Sequence, residues 1–152
     1  MSKRSAGILP YRRGDGTWQV LLVHPVGPFW MRKDLGAWSI AKGEFVPPEP
    51  PLQAAVREFE EETGHRLPGP FIALQPVRLK SGKLIDAWAT ETDWDLSSFC
   101  SNTFELVDAK GVARRYAEVD RIEWFTFELA AQKINSGQVP LLMQLQAILA
   151  MA

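Results

Sequence analysis

The stretch Arg57-Glu58-Phe59-Glu60-Glu61-Glu62 carries the densest chemistry in the chain. Carboxylates three and four residues apart share a face of an α-helix, and oxygens gathered there accept protons or hold a hard cation. A helix is expected at this point. Leu52, Ala55, Val56 and Phe59 recur at i, i+3, i+4 and i+7, one apolar stripe. Pro47-Pro48-Glu49-Pro50-Pro51 cannot be helix interior, because proline lacks the amide proton, but Pro51 suits a first turn. Gly64 is placed to stop the helix. At 100° per residue, Glu58, Glu61 and Glu62 then lie together along one flank of the stripe, with Glu60 and Arg57 on the opposite flank. In an exposed helix such like charges cost only a few tenths of a kcal/mol per pair, so a plain solvated acidic face is the competing interpretation. Partly buried, the cluster raises its own pKa values, and a divalent cation reverses the penalty. Oxygen-only ligands select magnesium or manganese over zinc.

The spacing decides between the two. Gly43, Glu49, Arg57, Glu58, an apolar Phe59, Glu61, Glu62 and Gly64 match the Nudix box position for position. A chance match of the fixed positions is below about one in a million per chain at average residue frequencies. The stretch from Gly43 to His65 therefore resembles the box of the Nudix hydrolases. The chain departs from it at His65, usually aliphatic, at Ala41, often proline, and at Pro47-Pro48, which replace a more flexible loop. None of these changes removes an acidic residue.

The resemblance implies an α/β (α+β) fold, a mixed β-sheet sandwiched between α-helices. It also implies that Glu58, Glu61 and Glu62 hold metal ions on a diphosphate, magnesium with manganese as a substitute, with the backbone carbonyl of Lys42 as a further ligand. Arg57 is implied to pair with Glu49 and orient the loop against the helix; a plain i, i+4 pair with Glu61 is the alternative. Gly43 lets backbone come close to metal or phosphate, or is a simple turn glycine. Glu61 is the first choice for the base that takes a proton from water and Glu58 the second; Glu105 and Glu118 are downstream candidates for an extra ligand or base.

Substrate candidates are Lys42 and Gly43, for phosphate, and Trp30 and Trp38, for stacking on a base, with packing the commoner fate of Trp38. Gly36 to Gly43 is similar to the lead-in of Nudix enzymes acting on dinucleoside polyphosphates and NTPs. Ser101-Asn102-Thr103-Phe104-Glu105 is similar to a bacterial group of predicted NTP pyrophosphohydrolases. The expected activity is magnesium-dependent cleavage of a diphosphate linkage in a nucleoside diphosphate derivative. The alternatives are a non-catalytic nucleotide-binding module and an RNA 5'-end pyrophosphohydrolase. Degenerate modules typically lose box glutamates, and this chain keeps them.

Around the box, strands are expected over 5–12 and 17–24 with an Asp15-Gly16 hairpin turn, a short one over 37–41, a hairpin of 71–79 and 83–91, and strands over 103–107 and 122–127. Residues 25–35 read as loop, and helices close the chain over 128–134 and 139–151. One domain over 1–152 accommodates all of this. A net charge of -1 argues against extended nucleic acid as partner and leaves a small nucleotide. Cys100 alone makes no disulfide, no apolar run reaches the roughly 20 residues of a membrane span, and a cytoplasmic location is expected. Leu141, Leu142, Leu145, Ile148 and Leu149 form a stripe for the core or for a homodimer face.

Overall fold

Residues 4–25 and 33–151 are described by a computed structural model. The strands are β1 (Arg4–Gly14), β2 (Thr17–Pro25), β3 (Ala41–Glu44), β4 (Ile72–Ala73), β5 (Val77–Arg78), β6 (Leu84–Glu91), β7 (Thr103–Val107), β8 (Ala113–Ala117) and β9 (Val119–Thr126). The helices are α1 (Pro51–Thr63), α2 (Phe127–Lys133) and α3 (Val139–Ala150), with a 3-10 turn at Ser136–Gln138.

Asp15 and Gly16 both take positive φ, 51° and 78°, which matches the twist of the flanking strands and closes the β1–β2 hairpin. β1 then pairs parallel with β6 on its other side, and β2 pairs antiparallel with β9. With β3 on β1, and β4 and β5 on β6, the result is a seven-stranded mixed sheet. β1 is central, so its run is buried on both faces rather than alternating. Ala6 and Ile8 join Ala54, Ala55 and Phe59 of α1 in one core; Leu9 joins Leu141 and Leu145 of α3 in the other. The sheet is thus covered by helices on both sides. Leu145 is fully buried there, and Leu145→Ala is expected to cost about 2–5 kcal/mol in denaturant unfolding.

The α3 stripe is consumed by this second core: Leu141, Leu142, Leu145 and Leu149 are buried within the chain itself. Three element boundaries differ from expectation. The 37–41 strand is reduced to bridges at Trp38 and Ser39, and the true strand, β3, runs into the box because it pairs with β1. The 71–79 strand is broken into β4 and β5 around Leu74-Gln75-Pro76, where Gln75 N–H bonds the Gln144 side chain instead of a strand. β8 has no apolar alternation to announce it, and it forms with β7 a hairpin separate from the main sheet. Most of the expected 25–35 loop, with Trp30, lies outside the described residues.

Candidate active site

α1 begins at Pro51 without a side-chain cap and ends on Gly64, whose φ of 77° only glycine adopts freely and whose N–H returns to the Glu60 carbonyl at 2.8 Å. Its apolar stripe is pressed on β1. The acids are therefore graded by angular distance from that stripe: Glu62 is 7% exposed, the Glu58 side chain 12% and the Glu61 side chain 43%.

The depth sets the electrostatics. Burial pushes the Glu62 carboxyl up to about 9, helped by repulsion from Glu118 and Glu58 and opposed by Lys42. One of its oxygens, Oε2, is buried with no hydrogen-bond partner. Glu58 is also raised, first by burial and then by Glu61. Burial lowers the Lys42 ammonium, as does neighbouring Lys83.

Arg57 organises the solvent side. Its Nε and Nη2 donate to the two oxygens of Glu49, each at 2.9 Å, a bidentate fork that ties the proline-rich loop to the helix. This hydrogen bonding holds Glu49 below its ordinary range and raises Arg57. Nη1 donates to Glu58 Oε1 at 3.0 Å and to Glu61 Oε1 at 3.3 Å. Both interpretations of Arg57 thus coexist, and from the opposite flank its guanidinium reaches across to the acids.

Gly43 packs its Cα directly on the Glu58 carboxylate. A Cβ there would lie 2.1 Å from Glu58 Cδ. Gly43→Ala must therefore swing the end of a flexible side chain aside. The expected result is a small loss of stability and a large loss of turnover, checked by unfolding and activity assays on the same preparation.

Glu118 reaches this place by a relay of backbone bonds. Asn102 N–H donates to the Glu61 carbonyl at the end of α1, and Glu118 N–H donates to the Asn102 carbonyl, each at 2.9 Å. A cavity of about 410 Å³ opens beside Glu62, bounded also by Lys42, Glu118, Ser39, Asn135 and Gln138. No sequence motif marks the last two. Gln138 is buried and its Oε1 accepts from Ile40 N–H at 3.1 Å, across 98 residues, which no local pattern announces. Glu105 lies on the separate β7–β8 hairpin and is exposed.

Trp38 is a correction. It is 1% exposed, its indole N–H donates to Asp34 at 2.8 Å, and it packs edge-on against His24 and Phe125. It has no free face for a base and is a core residue. Trp30 lies outside the described residues.

No three of the described acidic, histidine or cysteine side chains converge on one point as they stand. Arg57 holds the ends of Glu58 and Glu61, while Glu62 is buried. A hard divalent cation nevertheless fits the donor set. Glu62 Oε2 is buried without a hydrogen-bond partner, the donors are all oxygens, and the missing side chain at Gly43 leaves the space that the Glu58 carboxylate fills. Among the described residues no helix is long and apolar enough to cross a membrane.

A family model described as NUDIX domain matches residues 1–145. Among solved structures, a Caenorhabditis elegans Ap4A hydrolase binary complex is similar over 99% of this chain and 99% of its own, at 21% identity and a TM-score of 0.67. The NUDIX domain of Shewanella oneidensis NrtR, complexed with ADP ribose, is similar over 98% of this chain and 89% of its own, at 17% identity and a TM-score of 0.67. The Escherichia coli ORF135 protein is similar over 99% and 94%, at 24% identity and a TM-score of 0.60. At these identities the structural likeness is one of fold.

Proposed function

The chain belongs to the Nudix family, hydrolases of phosphoric anhydrides that generally use divalent metal ions, and on that premise we propose that it is a magnesium-dependent pyrophosphohydrolase cleaving a diphosphate linkage in a nucleoside diphosphate derivative. NTPs and dinucleoside polyphosphates are the favoured substrates. The observation that carries this reading is the buried, unpartnered Glu62 oxygen beside Lys42 at the wall of a cavity large enough for a nucleotide portion. Similar structures include an Ap4A hydrolase and a domain solved with ADP ribose, which supports a nucleotide ligand.

Glu58, Glu61 and Glu62, with the Lys42 carbonyl, would hold magnesium or manganese. Bound there, the ion neutralises the diphosphate and lowers the pKa of water. The protein supplies the rest. Glu61, the most exposed of the three, takes the proton from water as the water oxygen bonds to phosphorus and the bridging P–O bond breaks. With an NTP the products are a nucleoside monophosphate and pyrophosphate. Lys42 sets a point charge against phosphate oxygens, and Gly43 lets backbone approach them. Arg57, locked on Glu49, fixes the helix against the loop and keeps Glu58 and Glu61 in place. A net charge of -1 and the lone thiol Cys100 agree with a small substrate and a reducing, cytoplasmic setting.

The test is turnover of a nucleotide panel with magnesium and with EDTA. Metal-dependent release of monophosphate is expected. Tight nucleotide binding without turnover of any diphosphate would favour a non-catalytic module instead.

A further inference from the structure

The main sheet ends at β9. One side of this strand pairs with β2, and its other side has no strand partner among the described residues. The hydrogen bonds of β2 show which backbone groups face that open side. Val23 N–H donates to the Ser39 carbonyl at 2.8 Å, and the Val23 carbonyl accepts from Ser39 N–H at 3.0 Å, so both groups point away from β9. Ile122 stands opposite Val23. In an antiparallel ladder the two residues of such a pair turn their amides away from each other. Ile122 N–H and C=O therefore point outward from the sheet, and neither has a partner among the described residues. By alternation the backbone groups of Asp120 and Trp124 point the same way.

An open strand edge is a template for another strand, and charge on it decides what can pair there. Arg121 and Glu123 share one face of β9, with Ile122 between them on the other. The Arg121 side chain is 53% exposed; its guanidinium lies over the Trp38 ring at 5.2 Å and reaches Asp120 at 4.0 Å. The Glu123 side chain is exposed and makes no ion pair or hydrogen bond among the described residues.

We propose that β9 pairs antiparallel with β9 of a second copy of this chain, about a two-fold axis at Ile122, so that two sheets join into one. The two Ile122 residues then exchange both of their backbone hydrogen bonds. On either side of the axis, Arg121 of one copy stands directly opposite Glu123 of the other. These are the close pairs of the ladder, with Cα atoms about 4.5 Å apart, where opposite charges stabilise and like charges repel. The same charges fix the register. An axis moved to Arg121 sets two arginines against each other, and an axis moved to Glu123 does so with two glutamates. Only the axis at Ile122 answers both charges, and it does so twice. That self-complementarity selects a second copy over an unrelated strand.

Sedimentation velocity on the full chain tests this with the wild type, Arg121→Glu, Glu123→Arg and an equimolar mixture of the two variants. The wild type is expected to sediment as a dimer. Each variant alone sets up two like-charge pairs, and its dissociation constant is expected to rise by about tenfold or more. The mixture restores two opposite-charge pairs, so a dimer of one variant with the other is expected to return. Glu123 has no ion pair or hydrogen bond to lose within the chain, so Glu123→Arg keeps the monomer fold. The Ile122 amide, protected from hydrogen exchange in the wild type, is expected to exchange faster in that variant. Should Arg121→Glu fail to fold, the mass and Ile122 exchange of Glu123→Arg decide. A wild type that is monomeric at every concentration, its edge left to solvent or to a strand of another protein, overturns the proposal. So does a dimer that Glu123→Arg leaves unchanged, or a mixture of two folded variants that fails to recover the dimer.

Discussion

Glu62→Gln is expected to stabilise the metal-free protein and to disable the enzyme. Glu62 is 7% exposed, and its carboxyl is pushed from an ordinary 4.5 to about 9, chiefly by burial and then by Glu118 and Glu58. A folded-state value above the unfolded one means that folding favours the protonated acid. The destabilisation is absent below the unfolded value, grows as pH rises past it, and is complete above about 9. Each unit is worth about 1.4 kcal/mol, so at pH 8 the wild type without metal carries a cost of order a few kcal/mol. Glutamine does not ionise in the unfolded chain and so carries no such cost. Urea unfolding in EDTA at pH 5 and pH 8 checks this: wild-type stability relative to Glu62→Gln falls between the two. With magnesium the order of merit reverses, because the variant has lost a ligand oxygen, and turnover drops by at least about a hundredfold. Equal stability of the two proteins at pH 8 would show that burial does not hold the Glu62 carboxyl protonated.

Glu61→Gln is expected to lower kcat by about 10²–10⁴, the usual contribution of a positioned general base. Its side chain is 43% exposed and bonds only Arg57 among the described residues, at 3.3 Å, so unfolding should barely change. A loss in kcat with the fold intact separates Glu61 from Glu62, whose variant changes both. Turnover equal to wild type would remove Glu61 from the reaction and leave Glu58 as the next base to test.

The helix and its acids were legible because they depend on local periodicity. Apolar residues at helical spacing, a proline-rich entry and Gly64 as exit require no knowledge of distant partners. The grading of Glu62, Glu58 and Glu61 by depth also follows from their angles to that stripe. What was not legible depends on tertiary pairing. Trp38 is a stacking candidate in the sequence with packing the commoner fate, and packing is what Asp34, His24 and Phe125 impose by closing around it. Asn135 and Gln138 look like ordinary turn residues until the chain returns and their amides meet the Trp38–Ile40 backbone. Arg57 sits on the opposite flank of the wheel, yet its long side chain reaches across the helical surface to Glu58 and Glu61, which the wheel does not represent. The β8 strand pairs only with β7, outside the core, so burial leaves no mark on its sequence.

The central claim concerns a divalent cation held by the α1 carboxylates against a nucleotide's phosphates. Crystals soaked with manganese and a non-hydrolysable NTP analogue test it through anomalous scattering. The account predicts a manganese peak within ligand distance of Glu62 and at least one of Glu58 and Glu61, with Arg57 still on Glu49. A nucleotide bound elsewhere, or no peak at this edge with the acids turned apart into solvent, would contradict it.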